Sequence, residues 1–333
     1  MKTEQTSLHV SAPKRAVPGG DIRPEDASDL TSFLDFLQVR SDRVISRKTV
    51  STYKEAIVAL ARHAAGKGMP LLADLTREHV EDFLGSLKAR GNRPATIRNR
   101  YASLSSFFSW TVAEDIRKDH PMARIPMPRI PEQVMAHYTD EEIITLLAAI
   151  PNKATDVLAL RDRLLVLTLL DTGVRCQEAC DLHLRDIDRE ARHAHVRAGK
   201  GGKGRLVAYS AEVANALNRY LRRRGGWDAL GPTAPLFALR NGEAMKVNSV
   251  RMLMQRHFAA ASLEYRGIHA FRRSAGIGFL EAGGDPIDLK ELMGWSSWAM
   301  LYRYTKATAR SRALRAHEEH SPVVRMMQKE RKR

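Results

Sequence analysis

The sequence predicts a two-domain chain that is mainly α, with a small β-hairpin or sheet in the second domain. Three observations predict it. Four amphipathic helix patterns crowd the first third of the chain, a proline-broken basic stretch follows them, and the helical remainder is interrupted once, by two short strand patterns around a glycine-rich turn. A length of 333 residues suits two domains of roughly 150 residues each.

Residues 1–26 are polar and punctuated by Pro13, Pro18, Gly19, Gly20 and Pro24, and are expected to form a flexible lead-in. The first domain is expected over 27–117. Leu30, Phe33, Leu34 and Leu37 fall at i, i+3, i+4, i+7, the stripe of a helix with one apolar face. Val50, Tyr53, Ile57, Leu60 and Ala64 repeat the spacing, as do Val80, Phe83, Leu84 and Leu87 after a start signal at Thr76. Pro94 suits the first turn of a fourth helix carrying Ile97, Tyr101, Leu104 and Phe108. Arg93, Arg98 and Arg100 give this domain a basic side.

Residues 118–137 are expected to be a stiff, extended linker, since Pro121, Pro126, Pro128 and Pro131 alternate with Arg124 and Arg129. The second domain is expected over 138–310. It opens with Thr139-Asp140-Glu141-Glu142, a capping box ahead of Ile143, Leu146, Leu147 and Ile150. Leu164–Leu170 reads as a buried helix. His195–Arg197 and Leu206–Tyr209 read as strands flanking Gly199–Gly204, and helices are expected at about 211–224, 246–263, 269–282, 286–293 and 297–306. Residues 311–333 are left as a tail whose Val323, Val324, Met326 and Met327 suit docking on a neighbouring subunit.

Charge bounds the function. Lys and Arg number 54 against 38 Asp and Glu, a formal +16. Such an excess repels itself in the compact state, and a polyanion relieves that repulsion, so nucleic acid is the first candidate partner, with salt-dependent binding. A merely basic protein would share the composition. Cys176 and Cys180 are the only cysteines, which excludes a disulfide framework or a cysteine-rich zinc site. No apolar leader or run of about 18 apolar residues occurs, so a cytoplasmic location is expected.

Four places carry chemistry. Thr172-Gly173-Val174-Arg175 is followed by Glu178, three residues beyond the arginine, so the carboxylate could hold the guanidinium; a surface salt bridge gives the same pattern. The hairpin turn presents Lys200 and Lys203 among four glycines, with Arg205 just after it. It lacks the Gly-Lys-Ser/Thr ending of a nucleotide loop, and a plain flexible basic turn fits it. His269-Ala270-Phe271-Arg272 points an imidazole and a guanidinium the same way, though a histidine near a helix start is commonly structural. Gly294-Trp295 and Tyr302-Arg303-Tyr304 end the domain, where aromatic residues are commonly core.

Taken in order, these pieces resemble the tyrosine recombinases, a family that includes phage integrases and Xer-type resolvases. Its members carry an arginine after Thr-Gly-x, a hairpin lysine, a His-x-x-Arg helix, a His or Trp after a glycine, and a tyrosine nine residues later. Arg175, Lys200, His269, Arg272, Trp295 and Tyr304 match that order, over roughly residues 28–310. The resemblance implies a helical core-binding domain joined to an α+β catalytic domain, and a site-specific recombinase that cleaves and rejoins DNA through a 3′-phosphotyrosine, without metal, cofactor or ATP. It implies Tyr304 as nucleophile, Arg175 and Arg272 as phosphate clamp, Lys200 as general acid, His269 as base or hydrogen-bond partner, and Glu178 in support. Trp295 stands where most integrases have histidine, and supplies an indole N–H instead of proton handling. Tyr302 competes for the nucleophile's role, but two helical positions are about 200° apart, so both hydroxyls cannot face one phosphate. Arg93, Arg98, Arg100, Lys203 and Arg205 are the expected DNA contacts. Strand exchange implies a tetramer on paired sites, and the short N-terminal segment implies no second, arm-type DNA-binding domain. A type IB topoisomerase and a catalytically silent DNA-binding regulator are the alternatives.

Overall fold

The computed structural model describes residues 22–39, 45–131, 135–153, 155–197 and 204–331. The chain divides into two compact units, Met1–Glu132 and Gln133–Arg333.

In the first unit, α1 (Pro24–Val39), α2 (Arg47–Gly66), α3 (Arg77–Ala89) and α4 (Pro94–Ala113) close around a core built from the expected stripes. Phe33 lies at its centre, edge-on to Phe107 at 5.4 Å and to Tyr53 at 5.7 Å. Helix α1 begins inside the stretch expected to be a flexible lead-in. Pro24 is preset for a first helical turn, and the buried Asp26 carboxylate accepts from the Leu72 amide at 2.7 Å and from Arg23 Nε at 2.8 Å. Part of the expected linker also belongs to this unit. Met122 and Ile125 are buried in its core, and the Ile125 carbonyl accepts from the Tyr101 hydroxyl at 2.7 Å. Prolines set the backbone of that stretch, but two apolar side chains between them are enough to fold it down.

The second unit begins with α5 (Asp140–Ala149), whose capping box forms as expected: the Thr139 amide donates to Glu142 Oε2 at 2.9 Å, and the Glu142 amide to Thr139 Oγ1 at 3.3 Å. Helix α6 (Val157–Thr172) is buried on nearly every side, its N-terminus capped by Asp156 and its end turned by Gly173 at φ 59°. The one-turn α7 (Cys176–Cys180) follows. A three-stranded antiparallel sheet, β1 (Ile187–Asp188), β2 (His193–Val196) and β3 (Arg205–Ala208), pairs Ile187 with Ala194 and Ala194 with Val207, so their side chains share the face turned to the core. The strands sit one or two residues before their expected positions, and β1 is too short to leave a period-two pattern.

Helices α8 (Ala211–Arg224), α9 (Trp227–Leu230), α10 (Val247–Ala260), α11 (His269–Glu281), α12 (Pro286–Met293) and α13 (Trp298–Ala307) complete the body of the unit. Helix α10 stops before the expected 263 because Ser262 takes φ 54°. The tail is helical: α14 (Ala309–His320) and α15 (Pro322–Glu330) leave Leu314, Val323, Val324, Met326 and Met327 exposed. Pro322 cannot continue α14 and instead starts α15. No helix among the described residues is long and apolar enough to cross a membrane.

Candidate active site

Glycine places the first element. At the end of α6, Gly173 adopts the left-handed conformation, and a Cβ there would sit 2.6 Å from Met293 Cε. The turn sends the Gly173 carbonyl toward α11, where it accepts from Arg272 Nη1, and brings Arg175 to the N-cap of α7. Arg175 is therefore outside the helix, at φ −70° and ψ 150°, and not on a shared helical face with Glu178 as the spacing suggested. The pair forms all the same. Glu178 Oε2 accepts from the Arg175 amide at 2.8 Å, and Oε1 from its Nη1 at 2.8 Å.

Arg272 lies one turn into α11 and is only 2% exposed. Besides Gly173 it donates from Nη2 to the Met293 carbonyl at 2.6 Å, and its guanidinium stands 5.8 Å from the Trp295 ring centre. Burial first, and then the charge of Arg175, pull its pKa down to about 10, which leaves it a cation at neutral pH. The free-energy cost of burying a charge is met here by two carbonyl acceptors and an aromatic face.

Trp295 follows Gly294, the left-handed cap of α12. Its ring packs on that of Tyr304 with centroids 4.6 Å apart. The indole Nε1 is buried with no hydrogen-bond partner among the described residues, an arrangement that is costly unless something else accepts that N–H. Tyr304 is 2% exposed, and its ring lies so close to α11 that a Cβ on Gly276 would meet its Cε1 at 2.7 Å. Burial raises its hydroxyl pKa, while Arg272, Arg273 and Arg175 pull the other way. Tyr302, on the same helix, is 65% exposed.

His269 opens α11 with its side chain exposed. Packing around the imidazole lowers its pKa, and Arg273, Arg272 and Arg175 add to the effect, so the ring is neutral at pH 7. Arg175, Glu178, His269, Arg272, Trp295 and Tyr304 thus gather in one region of the second unit. Lys200 and Lys203 lie outside the described residues. Arg205 departs from the expectation of a DNA-facing side chain: its two Nη atoms donate to both oxygens of Glu178, at 3.0 and 2.8 Å, and its Nε to the Leu292 carbonyl at 3.1 Å. Its place in β3 carried no signal of that partnership, since the sequence separation is 27 residues. Arg93 and Arg98 are exposed at the start of α4 in the first unit, whereas Arg100 is half-buried with Nη2 3.7 Å from Glu55. Gly276 and Met293, which seat Tyr304 and Gly173, went unnoticed in the sequence because small or flexible apolar residues in a helix look like core.

The phage integrase family model matches residues 137–310, and the model of the phage integrase N-terminal SAM-like domain matches residues 30–115. Tyrosine recombinase XerC of Myxococcus xanthus is 32% identical over 268 residues, covering 79% of this chain and 88% of that protein. Among solved structures, the Tn1549 transposon integrase in complex with circular intermediate DNA aligns with a TM-score of 0.66 at 21% identity, over 82% of this chain and 94% of that one. A lambda integrase tetramer bound to a Holliday junction aligns with a TM-score of 0.64 at 20% identity, over 84% and 76%. At that identity the two structures attest the fold.

Proposed function

Given that this chain belongs to the tyrosine recombinase family and is a site-specific recombinase that cleaves and rejoins DNA, we propose that Tyr304 is the nucleophile and that Arg175 and Arg272 hold the scissile phosphate. The Tyr304 oxygen attacks phosphorus and loses its proton. The bond from phosphorus to the 5′-oxygen breaks, leaving a 3′-phosphotyrosine and a 5′-hydroxyl. The phosphodiester's energy is retained in the covalent link, so the reverse attack by a 5′-hydroxyl reseals DNA without another energy source. Two fixed guanidinium groups offset the charge that builds on the non-bridging oxygens.

The observation that carries this reading is the single packed group of Arg272, Trp295 and Tyr304, with Arg175 one turn of chain away. In it, the unpartnered Trp295 N–H supports a role as a third donor to the phosphate. His269, neutral at pH 7 and beside two cations, suits the transient acceptance of the tyrosine proton. Lys200 is assigned the protonation of the departing 5′-oxygen and Lys203 a backbone contact, both from the order of the sequence motifs. The first unit is assigned to gripping DNA through Arg93, Arg98 and Arg100. We further place four copies on two paired sites, as in the lambda integrase tetramer on its junction, with Val323, Val324, Met326 and Met327 of α15 meeting a neighbouring copy. The cytoplasm, where the DNA substrate is found, is the proposed location.

The test is a nicked site DNA that traps the covalent species. Tyr304→Phe keeps DNA binding and loses the adduct, while Tyr302→Phe keeps both. Loss of the adduct in Tyr302→Phe alone would reassign the nucleophile.

A further inference from the structure

We propose that Arg205 is a positioning residue that sets Arg175 through Glu178, rather than a contact to DNA; the inference rests on the assignment of Arg175 to the phosphate clamp. Arg205 begins β3, directly after the glycine-rich segment 199–204 of the sequence. Its side chain is only 16% exposed, and its fork is engaged on both oxygens of Glu178, whose carboxylate in turn takes the Arg175 amide and Nη1. Arg175 itself has a side chain 49% exposed. Among the described residues only Arg175 and Arg205 bond Glu178, so without Arg205 the carboxylate would be tied only to the half-exposed partner it positions.

The third donor extends the reach of the residue. Arg205 Nε bonds the Leu292 carbonyl, and its Cδ lies 2.8 Å from where a Cβ on Gly294 would be. That turn also carries Met293, whose carbonyl takes Arg272, and leads into Trp295. One guanidinium therefore ties the hairpin strand, the carboxylate behind one catalytic arginine, and the turn behind the other. Only arginine can do so. A planar fork with five N–H donors serves two acceptors in fixed directions, whereas a lysine ammonium on a flexible stem has no such plane. The carboxyl of Glu178 is pulled down to about 2, against its own burial, by the hydrogen bonds from Arg205 and Arg175, so it is an anion under all working conditions.

The experiment compares the parent protein with Arg205→Ala and Arg205→Lys, each checked for an unchanged melting profile, on nicked site DNA. Both variants are expected to bind the site with the parent's dependence on salt, because no phosphate contact has been removed. Both are expected to form the covalent adduct more slowly by about tenfold to a hundredfold, the cost of a misplaced clamp. A second substrate replaces one non-bridging oxygen of the scissile phosphate by methyl, which removes the charge that Arg175 holds. On it the deficit is expected to shrink to within about threefold, whereas damage to the fold would slow both substrates alike. Rescue by lysine together with a salt slope lowered by about one in the alanine variant would make Arg205 a DNA contact and overturn the inference. Unchanged adduct rates in both variants would overturn it too. Absence of any adduct in the parent, where the Glu178–Arg205 pair is intact, would instead remove the recombinase assignment on which it stands.

Discussion

Gly276 shows how a residue with no chemistry of its own can decide where the chemistry sits. A Cβ at this position would lie 2.7 Å from Tyr304 Cε1, against a ring that is already enclosed. Gly276→Ala is expected to displace the ring, costing about 1–3 kcal/mol of stability and slowing adduct formation with it. Gly278→Ala, two positions on with nothing within 4 Å of its Cβ, is expected to gain about 0.5–1 kcal/mol from helix propensity and to react normally. Melting curves and adduct yields on the pair separate the two effects. Glu178 makes a second residue-scale expectation. Burial would raise its pKa, but the hydrogen bonds from Arg205 and Arg175 dominate and hold it at about 2 in the folded state, against an ordinary 4.5. A depressed carboxylate contributes its stability fully above the unfolded pKa and loses it as pH falls through the folded one. The contribution of Glu178 to stability should thus be flat above pH 5 and decline between about 4.5 and 2 by an amount on the order of 2 kcal/mol. The decline should be shallower in Glu178→Gln, which pH-dependent denaturant titrations would record.

Elements explain what the sequence could and could not announce. Helices such as α2 and α3 were legible because one apolar stripe packs against one core, and such a face repeats every 3.6 residues. The Thr139 cap was legible because a capping box is a local arrangement of four residues. What escaped were features fixed by partners far away. Strand β1 is two residues long and exists only because β2 lies beside it. Met122 and Ile125 looked like linker because their contacts are with α4 and its neighbours. Arg175 looked helical because spacing cannot tell an N-cap from a first turn. The grouping of Arg175, His269, Arg272, Trp295 and Tyr304 was readable, since each motif is local; the place of Arg205 was not, since its partner is 27 residues back.

The net charge of +16 is a property of the whole molecule, but its useful part is local. Arg98 is exposed on α4 and Arg93 at its N-cap, while Arg100 faces Glu55. Arg93→Gln and Arg98→Gln should each weaken DNA binding across sequences and lower the salt slope by about one, and Arg100→Gln should change it less; titrations of labelled duplex at several salt concentrations would decide. Charge of this kind attracts any duplex, whatever its sequence. The packing of Tyr304 then acquires a meaning beyond its proposed role as nucleophile. On the proposal that Tyr304 is the nucleophile, a ring packed on Trp295 and against Gly276, with burial raising its hydroxyl pKa, is expected to spare the countless stretches of genome that the protein meets by charge alone. On that proposal, idle copies are harmless travellers, and a strand is expected to break only where the local arrangement has first let the tyrosine out.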